Sequence, residues 1–321
     1  MAIVTFSVAS AAIDEKRSEG VALLPRESLR SLAARSAFAG RAAIVTGAAG
    51  AFGSATLRLL RYLGADAVGI DRVPSAGVVT CDVTDDEQVR AAVAEAVERL
   101  GRLDTLIHYA GVGPVVDVGQ PADAAVREAL EVNLLGTWRV TAAALPALLD
   151  ARGRVIVTAS LLAGVTMPFS AAYTVSKRAL TAYADVLRVE YGTHLGVTTV
   201  YPGYVDTAIH DRSRAAGVAL DGLVPAESVR DTVLTVVRAA AAPKAPRDVA
   251  SSRSGTAAFW LARHAPGVLD QAMAARLRRL VRAQAFESAG LAAGLRHRHG
   301  ANGCGTAAAD ARGAGAGAAD A

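Results

Sequence analysis

The chain has 321 residues, 52% of them hydrophobic, 20% charged and 5% aromatic. That is enough apolar material for one large domain or two small ones with a buried core, and too much for a chain disordered throughout. Of its 34 basic residues only Lys16, Lys177 and Lys244 are lysine, and the formal charge of +4 is spread along the sequence. Only Arg276, Arg278, Arg279 and Arg282 crowd together, which argues against a nucleic-acid surface.

No run approaches the roughly 18 uninterrupted apolar residues of a membrane-spanning helix. The opening MAIVTFSVASAAIDEK lacks the basic region of a secretory signal, and two cysteines, Cys81 and Cys304, cannot make a disulfide framework. The expectation is a cytoplasmic protein.

Residues 1–39 read as an N-terminal extension with a helix over 26–35. From residue 41 short β-branched runs alternate with alanine-rich helical stretches: strands at 42–46, 67–70, 103–108, 154–160 and 197–202, helices at 52–63, 85–100, 122–149, 172–191 and 226–241. Alternation of this kind implies parallel strands joined by helical crossovers. The strands are continuous apolar runs, as a sheet buried on both faces requires. The expected fold is a three-layer, doubly wound α/β domain of Rossmann type over 40–250. A short edge strand is expected between 243 and 255, and a C-terminal helical segment follows over 251–289, helical from 256 to 284 with a break at Pro266-Gly267. Residues 290–321, rich in Ala, Gly, Arg and His, read as a disordered tail.

The first strand runs into Thr46-Gly47-Ala48-Ala49-Gly50-Ala51-Phe52-Gly53 and then a helix. A glycine-rich turn there lets the backbone and the helix N-terminus approach a pyrophosphate. The second strand ends at Asp71, whose carboxylate can accept from an adenosine ribose and repels a 2′-phosphate; with Arg72 beside it, the pattern favours NAD over NADP. Tyr173 and Lys177, four apart, share one face of a helix. An ammonium there is expected to lower the phenol's pKa towards neutrality.

With Ser160 thirteen residues before Tyr173 and Asn133 in the preceding helix, these features resemble the short-chain dehydrogenase/reductase family, in its Tyr-x-x-x-Lys branch, over about 41–242. The resemblance implies a catalytic tetrad of Asn133, Ser160, Tyr173 and Lys177. In it Asn133 holds a water, and Lys177 also holds the nicotinamide ribose. The resemblance further implies that Asp82-Val83 brackets the adenine, that Ala110-Gly111 approaches the coenzyme, and that Pro202-Gly203-Tyr204-Val205-Asp206-Thr207 cradles the nicotinamide side. Two positions depart from the family pattern: Ala51 stands where a glycine is usual, and His108-Tyr109 replaces a pair of asparagines.

The expected reaction is hydride transfer between a nicotinamide and a secondary alcohol or ketone. The segment 204–225, with Tyr204, Ile209, Val218, Leu220 and Leu223, is expected to form a lid. Its apolar character, with Met167-Pro168-Phe169 opposite, points to a hydrophobic substrate of lipid, steroid or polyketide type. The alternatives are a 3-oxoacyl thioester reductase and a non-catalytic NAD-binding sensor. His210 is a candidate for the substrate entrance. His194 reads as a loop polar group, His297 and His299 as solvated tail residues, Cys81 as core, and no metal site is expected. The segment 256–284 covers the domain or makes a dimer contact, with packing over the active site or lying on an anionic membrane as the alternatives. Relatives pair through helices corresponding to 122–149 and 172–191, which implies a homodimer or homotetramer.

Overall fold

The computed structural model describes residues 35–218 and 226–299; the helix expected over 26–35 (save its last residue), the lid residues Leu220 and Leu223, and Cys304 lie outside the described residues. After a single helical turn, α1 (Arg35–Phe38), the chain alternates as the periodicity requires. The order is β1 (Ala42–Thr46), α2 (Ala51–Tyr62), β2 (Asp66–Asp71), β3 (Val78–Thr80), α3 (Asp86–Leu100), β4 (Thr105–His108), α4 (Ala124–Leu130), a π-helical turn (Glu131–Gly136), α5 (Thr137–Asp150), β5 (Arg154–Thr158), α6 (Ala171–Tyr191) and β6 (Gly196–Tyr201). There follow β7 (Tyr204–Val205), α7 (Asp211–Ala215), β8 (Ala226–Glu227), α8 (Val229–Ala241), β9 (Asp248–Ala250), α9 (Arg253–His264), α10 (Pro266–Arg282) and α11 (Ala293–His299).

Seven strands form one sheet in the order β3-β2-β1-β4-β5-β6-β9, every pair parallel. Side chains alternate between its faces with period two. Ile44, Leu106, Val155 and Val157 meet Val89, Val140, Leu148 and Leu180 of α3, α5 and α6 on one side. Val45, Ile107 and Ile156 meet Leu57, Leu60, Val233 and Val236 of α2 and α8 on the other. The strand order reverses between β1 and β4, and this is where the carboxyl ends of a doubly wound sheet open a ligand crevice.

The continuous helical run 124–150 is long and apolar enough to cross a bilayer, but Ala129, Asn133, Val140, Thr141, Ala144 and Leu148 are buried against the domain. Strand β3 was not foreseen; three residues bounded by Gly77 at φ +74 are too few to show a period. The expected edge strand is β9. The break at Pro266 is also present: proline starts α10, where it lacks no hydrogen bond.

The expectation of disorder over 290–321 is corrected for residues 290–299; residues 300–321 lie outside the described residues. A 3-10 turn (Gly290–Ala292) and α11 continue the fold. Ala289, Ala292 and Leu295 recur every third residue and bury against Phe169, Val218 and Phe286. Low complexity concealed this stripe because two of its three residues are alanine. The same cluster receives Leu277, Leu280 and Val281 of α10, and Phe259 of α9 packs at a tilt against Tyr201 with ring centroids 4.3 Å apart. The C-terminal segment packs on the domain through these residues.

Candidate active site

A cleft of about 780 Å³ lies at the strand reversal. Its front wall is the turn between β1 and α2. Gly47 has φ +64, and a Cβ there would lie 2.7 Å from Ala110 N; a Cβ on Gly53 would lie 2.2 Å from the Gly47 carbonyl oxygen. Only glycine allows either approach. Helix α3 has its first amides accepted by Asp85 (2.9 and 3.0 Å), whereas α2 begins after Gly50 with no side-chain cap. Its first N–H groups are thus left facing the cleft, the arrangement that receives a phosphate. Ala51 is the exposed first residue of α2.

Asp71, at the end of β2, accepts from Ala49 N and Val73 N, both at 2.9 Å, so it also pins the glycine turn. Arg72, Asp82 and Val83 line the cleft beside it, with Phe52, Ala110 and Gly111. The backbone donors of Tyr109 and Ala110 reach Thr46 Oγ1 at 3.2 and 3.3 Å.

The His108-Tyr109 departure is accommodated without loss of order. His108 Nε2 meets Thr141 Oγ1 at 2.9 Å, and Tyr109 Oη meets Thr56 Oγ1 at 2.9 Å beneath α2. Desolvation pushes the His108 imidazole down to about 3, with the Lys177 charge as a second cause, and burial raises the Tyr109 phenol.

Ser160, Tyr173 and Lys177 converge on the cleft wall at the end of β5 and the start of α6. The Ser160 hydroxyl bonds the Tyr173 phenol and accepts from Leu162 N at 3.1 Å. Lys177 Nζ donates to the Thr158 carbonyl at 2.9 Å and lies 5.7 Å from the Tyr173 ring centroid. Burial pushes Lys177 down to about 8.

The expected lowering of Tyr173 is corrected for this state. Burial raises its phenol to about 12, and only the bond from Ser160 opposes the rise. The ammonium is turned to Thr158, so desolvation wins. Asn133 stands behind the wall, fully buried. Its Nδ2 donates to Val112 O (2.9 Å) and Ser176 Oγ (2.8 Å), and its Oδ1 accepts from Val112 N (2.8 Å).

Pro202, Gly203, Val205 and Thr207 close the back of the cleft. Leu161, Leu162, Val165, Met167, Tyr204 and Ile209 give its rear an apolar lining, and Ser254, Gly255 and Ala258 of α9 complete it. His210 also lines it, 4.6 Å ring to ring from Tyr204. Of the other expected lid residues, Val218 is instead buried beneath the C-terminal segment.

Sequence reasoning missed two pairs of contacts. Glu128 and Arg212 form a bidentate bridge across the mouth (2.5 and 2.9 Å), and Glu227 holds Gly203 N at 3.0 Å. Neither carries a local motif. Among the described residues no cluster of metal-ligating side chains exists, and Cys81 is buried with its thiol pushed up to about 11 by desolvation.

Comparison with known proteins agrees with this geometry. The family model for short chain dehydrogenase matches residues 41–217. L-fucose dehydrogenase of Bos taurus is 32% identical over 194 residues, covering 56% of this chain and 71% of its own. 11-beta-hydroxysteroid dehydrogenase A of Sesamum indicum is 34% identical over 137 residues, covering 42% of this chain and 39% of its own. A short chain dehydrogenase from Burkholderia cenocepacia solved in complex with NADP superposes with a TM-score of 0.63 at 28% identity, over 73% of this chain and 98% of the other. One from Mycobacterium paratuberculosis bound to NAD superposes with a TM-score of 0.61 at 24% identity, over 68% of this chain and 99% of the other. The chain belongs to the short-chain dehydrogenase family and is an alcohol–carbonyl oxidoreductase that works with a nicotinamide coenzyme.

Proposed function

We propose that the protein is an NAD-dependent dehydrogenase of hydrophobic secondary alcohols, reducing the matching ketones in reverse. The observation that carries this reading is the placement of Ser160, Tyr173 and Lys177 on one wall of a cleft whose front is a glycine cradle and whose rear is apolar. The cradle fits a dinucleotide: Gly47 and Gly53 clear the path for its pyrophosphate, and the uncapped start of α2 supplies amides. The carboxylate of Asp71 disfavours a 2′-phosphate. The relatives' names include a sugar and a steroid dehydrogenase; the lining of Leu161, Leu162, Val165, Met167 and Ile209 favours the apolar kind.

The coenzyme supplies the hydride chemistry when bound. Tyr173 takes the alcohol proton in oxidation as its phenolate, which needs the Lys177 ammonium to leave the Thr158 carbonyl and lower the phenol, and it returns a proton as the phenol in reduction. The Ser160 hydroxyl donates to the substrate oxygen as it gains charge. Lys177, protonated below its depressed pKa of about 8, keeps a positive charge beside the phenol. Asn133 ties the 112 loop to Ser176, one residue before Lys177, and so fixes the helix that carries both Tyr173 and Lys177. We also infer self-association through α5 and α6, whose outer faces expose Trp138 (52%) and Val189 (84%).

The test follows NAD⁺ and NADP⁺ reduction over bulky secondary alcohols and sugars, and NADPH oxidation with a 3-oxoacyl thioester. NAD-selective turnover of apolar alcohols is expected, falling about 10³-fold in Tyr173→Phe with coenzyme binding retained. Preferential thioester reduction by NADPH would replace the substrate assignment, and coenzyme binding without turnover on any substrate would favour a sensor.

A further inference from the structure

Glu227 belongs to no part of the family motif read from the sequence, yet its carboxylate accepts from three donors on two separate segments. Oε2 accepts from Gly203 N at 3.0 Å and from the Ser251 hydroxyl; Oε1 accepts from the Ser252 hydroxyl. Each donor is neutral. Gly203 is where the chain turns out of β6 along the back of the cleft, and a Cβ on it would lie 2.6 Å from Glu227 Oε1, so the turn is built around this carboxylate. The other side of the same turn is held by Leu161 N, which donates to Pro202 O at 2.9 Å. Ser252 is the N-cap of α9, its Oγ accepting from Gly255 N at 2.9 Å. The first turns of α9 present Ser254, Gly255 and Ala258 to the substrate end.

We propose that Glu227 is a positioning residue that clamps the Pro202-Gly203 turn to the start of α9, fixing the coenzyme side of the cleft relative to its substrate wall. The proposal rests on the dehydrogenase reading for what the two walls bind, but the clamp itself is a property of the free protein. A carboxylate suits the position because it only accepts. A glutamine that keeps its oxygen towards Gly203 and Ser251 must set an NH₂ against the Ser252 hydroxyl, which then loses the acceptor it now donates to. Glu227→Gln thus loosens α9 and spares the turn, whereas Glu227→Ala frees both.

Three readouts test this. Amide hydrogen exchange over 202–205 in the coenzyme-free protein is expected to accelerate in Glu227→Ala and stay near wild type in Glu227→Gln. NADH affinity, from fluorescence, is expected to weaken about tenfold in Glu227→Ala, the scale of one charge-assisted hydrogen bond, and less than about threefold in Glu227→Gln. The KM for the alcohol is expected to rise in both variants.

Should Glu227→Ala fail to fold, Ser251→Ala removes one donor, leaves the carboxylate in place, and is expected to shift exchange at Gly203 in the same direction. Unchanged exchange at Gly203 in Glu227→Ala, or in Ser251→Ala where Glu227→Ala does not fold, overturns the clamp whether or not the protein is a dehydrogenase. Wild-type protein that binds neither NADH nor NADPH overturns the dehydrogenase reading. A Glu227→Ala protein with lowered Tm but wild-type NADH affinity and kinetics reduces Glu227 to a structural contact and also overturns the proposal.

Discussion

The two ends of the cleft are made of different material. From Gly47 to Gly111 the front is backbone: glycines placed where a Cβ would strike main chain, an uncapped helix start, and amides anchored to Thr46 and Asp71. The rear is side chains drawn from stretches far apart in the sequence. Leu161 to Met167, Tyr204 to His210 and Ser254 to Ala258 meet there, braced by Glu227 and by the cluster around Phe286. A backbone wall is constrained because an added Cβ meets main chain, whereas a side-chain wall can be rebuilt residue by residue; under the function proposed above, substrate choice resides in the second.

The comparison breaks if the front tolerates bulk. In Gly53→Ala the new methyl would sit 2.2 Å from the Gly47 oxygen and 2.7 Å from Ala48 Cα, main-chain atoms that cannot swing aside as a flexible side chain would. NADH affinity is expected to fall about 100-fold, with about 2–3 kcal/mol of stability lost to overpacking; near-wild-type fluorescence titrations would contradict a front built to backbone tolerance. The rear should fail differently. Phe169 has φ +61, a conformation costly for an aromatic residue. It is held there by Phe286, edge-on at 5.6 Å, and by Val116 N donating to its carbonyl at 2.9 Å. Phe286→Ala is expected to cost about 3 kcal/mol and to raise the KM for bulky alcohols severalfold while leaving the coenzyme Kd within about twofold. Equal losses in both constants would erase the distinction between front and rear.

This division also explains what the sequence disclosed. The glycine turn, Asp71 and the Tyr173–Lys177 pair are local patterns whose spacing is set by one strand, one turn or one helix, and each stands on the cleft. Glu227 is 24 residues from Gly203 in sequence, and Phe286 lies more than a third of the chain beyond Phe169; no periodicity links them. Strand β3 escaped because three residues carry no period. The helix beyond Gly290 escaped because its buried stripe is mostly alanine. The direction of the Tyr173 shift was misjudged for a physical reason. Adjacency on a helix places Lys177 near the ring, but the hydrogen bond to Thr158 O and the burial of both groups decide the electrostatics.

A smaller effect is a pH dependence of stability that arises in the sheet beside the front. His108 ends β4 with its side chain fully enclosed and its ring nitrogen on Thr141. Its folded pKa of about 3 lies below the ordinary 6.5, so the unfolded chain takes up a proton first as pH falls. The stability this residue contributes is whole above pH 6.5 and drains away towards pH 3. By about pH 5 the loss amounts to about 2 kcal/mol, from about 1.36 kcal/mol per unit. In His108→Asn, where an amide that does not titrate can still meet Thr141, denaturant unfolding is expected to lose this slope between about pH 6.5 and 5. An unaltered slope in the variant would assign the acid sensitivity of folding to other groups than His108.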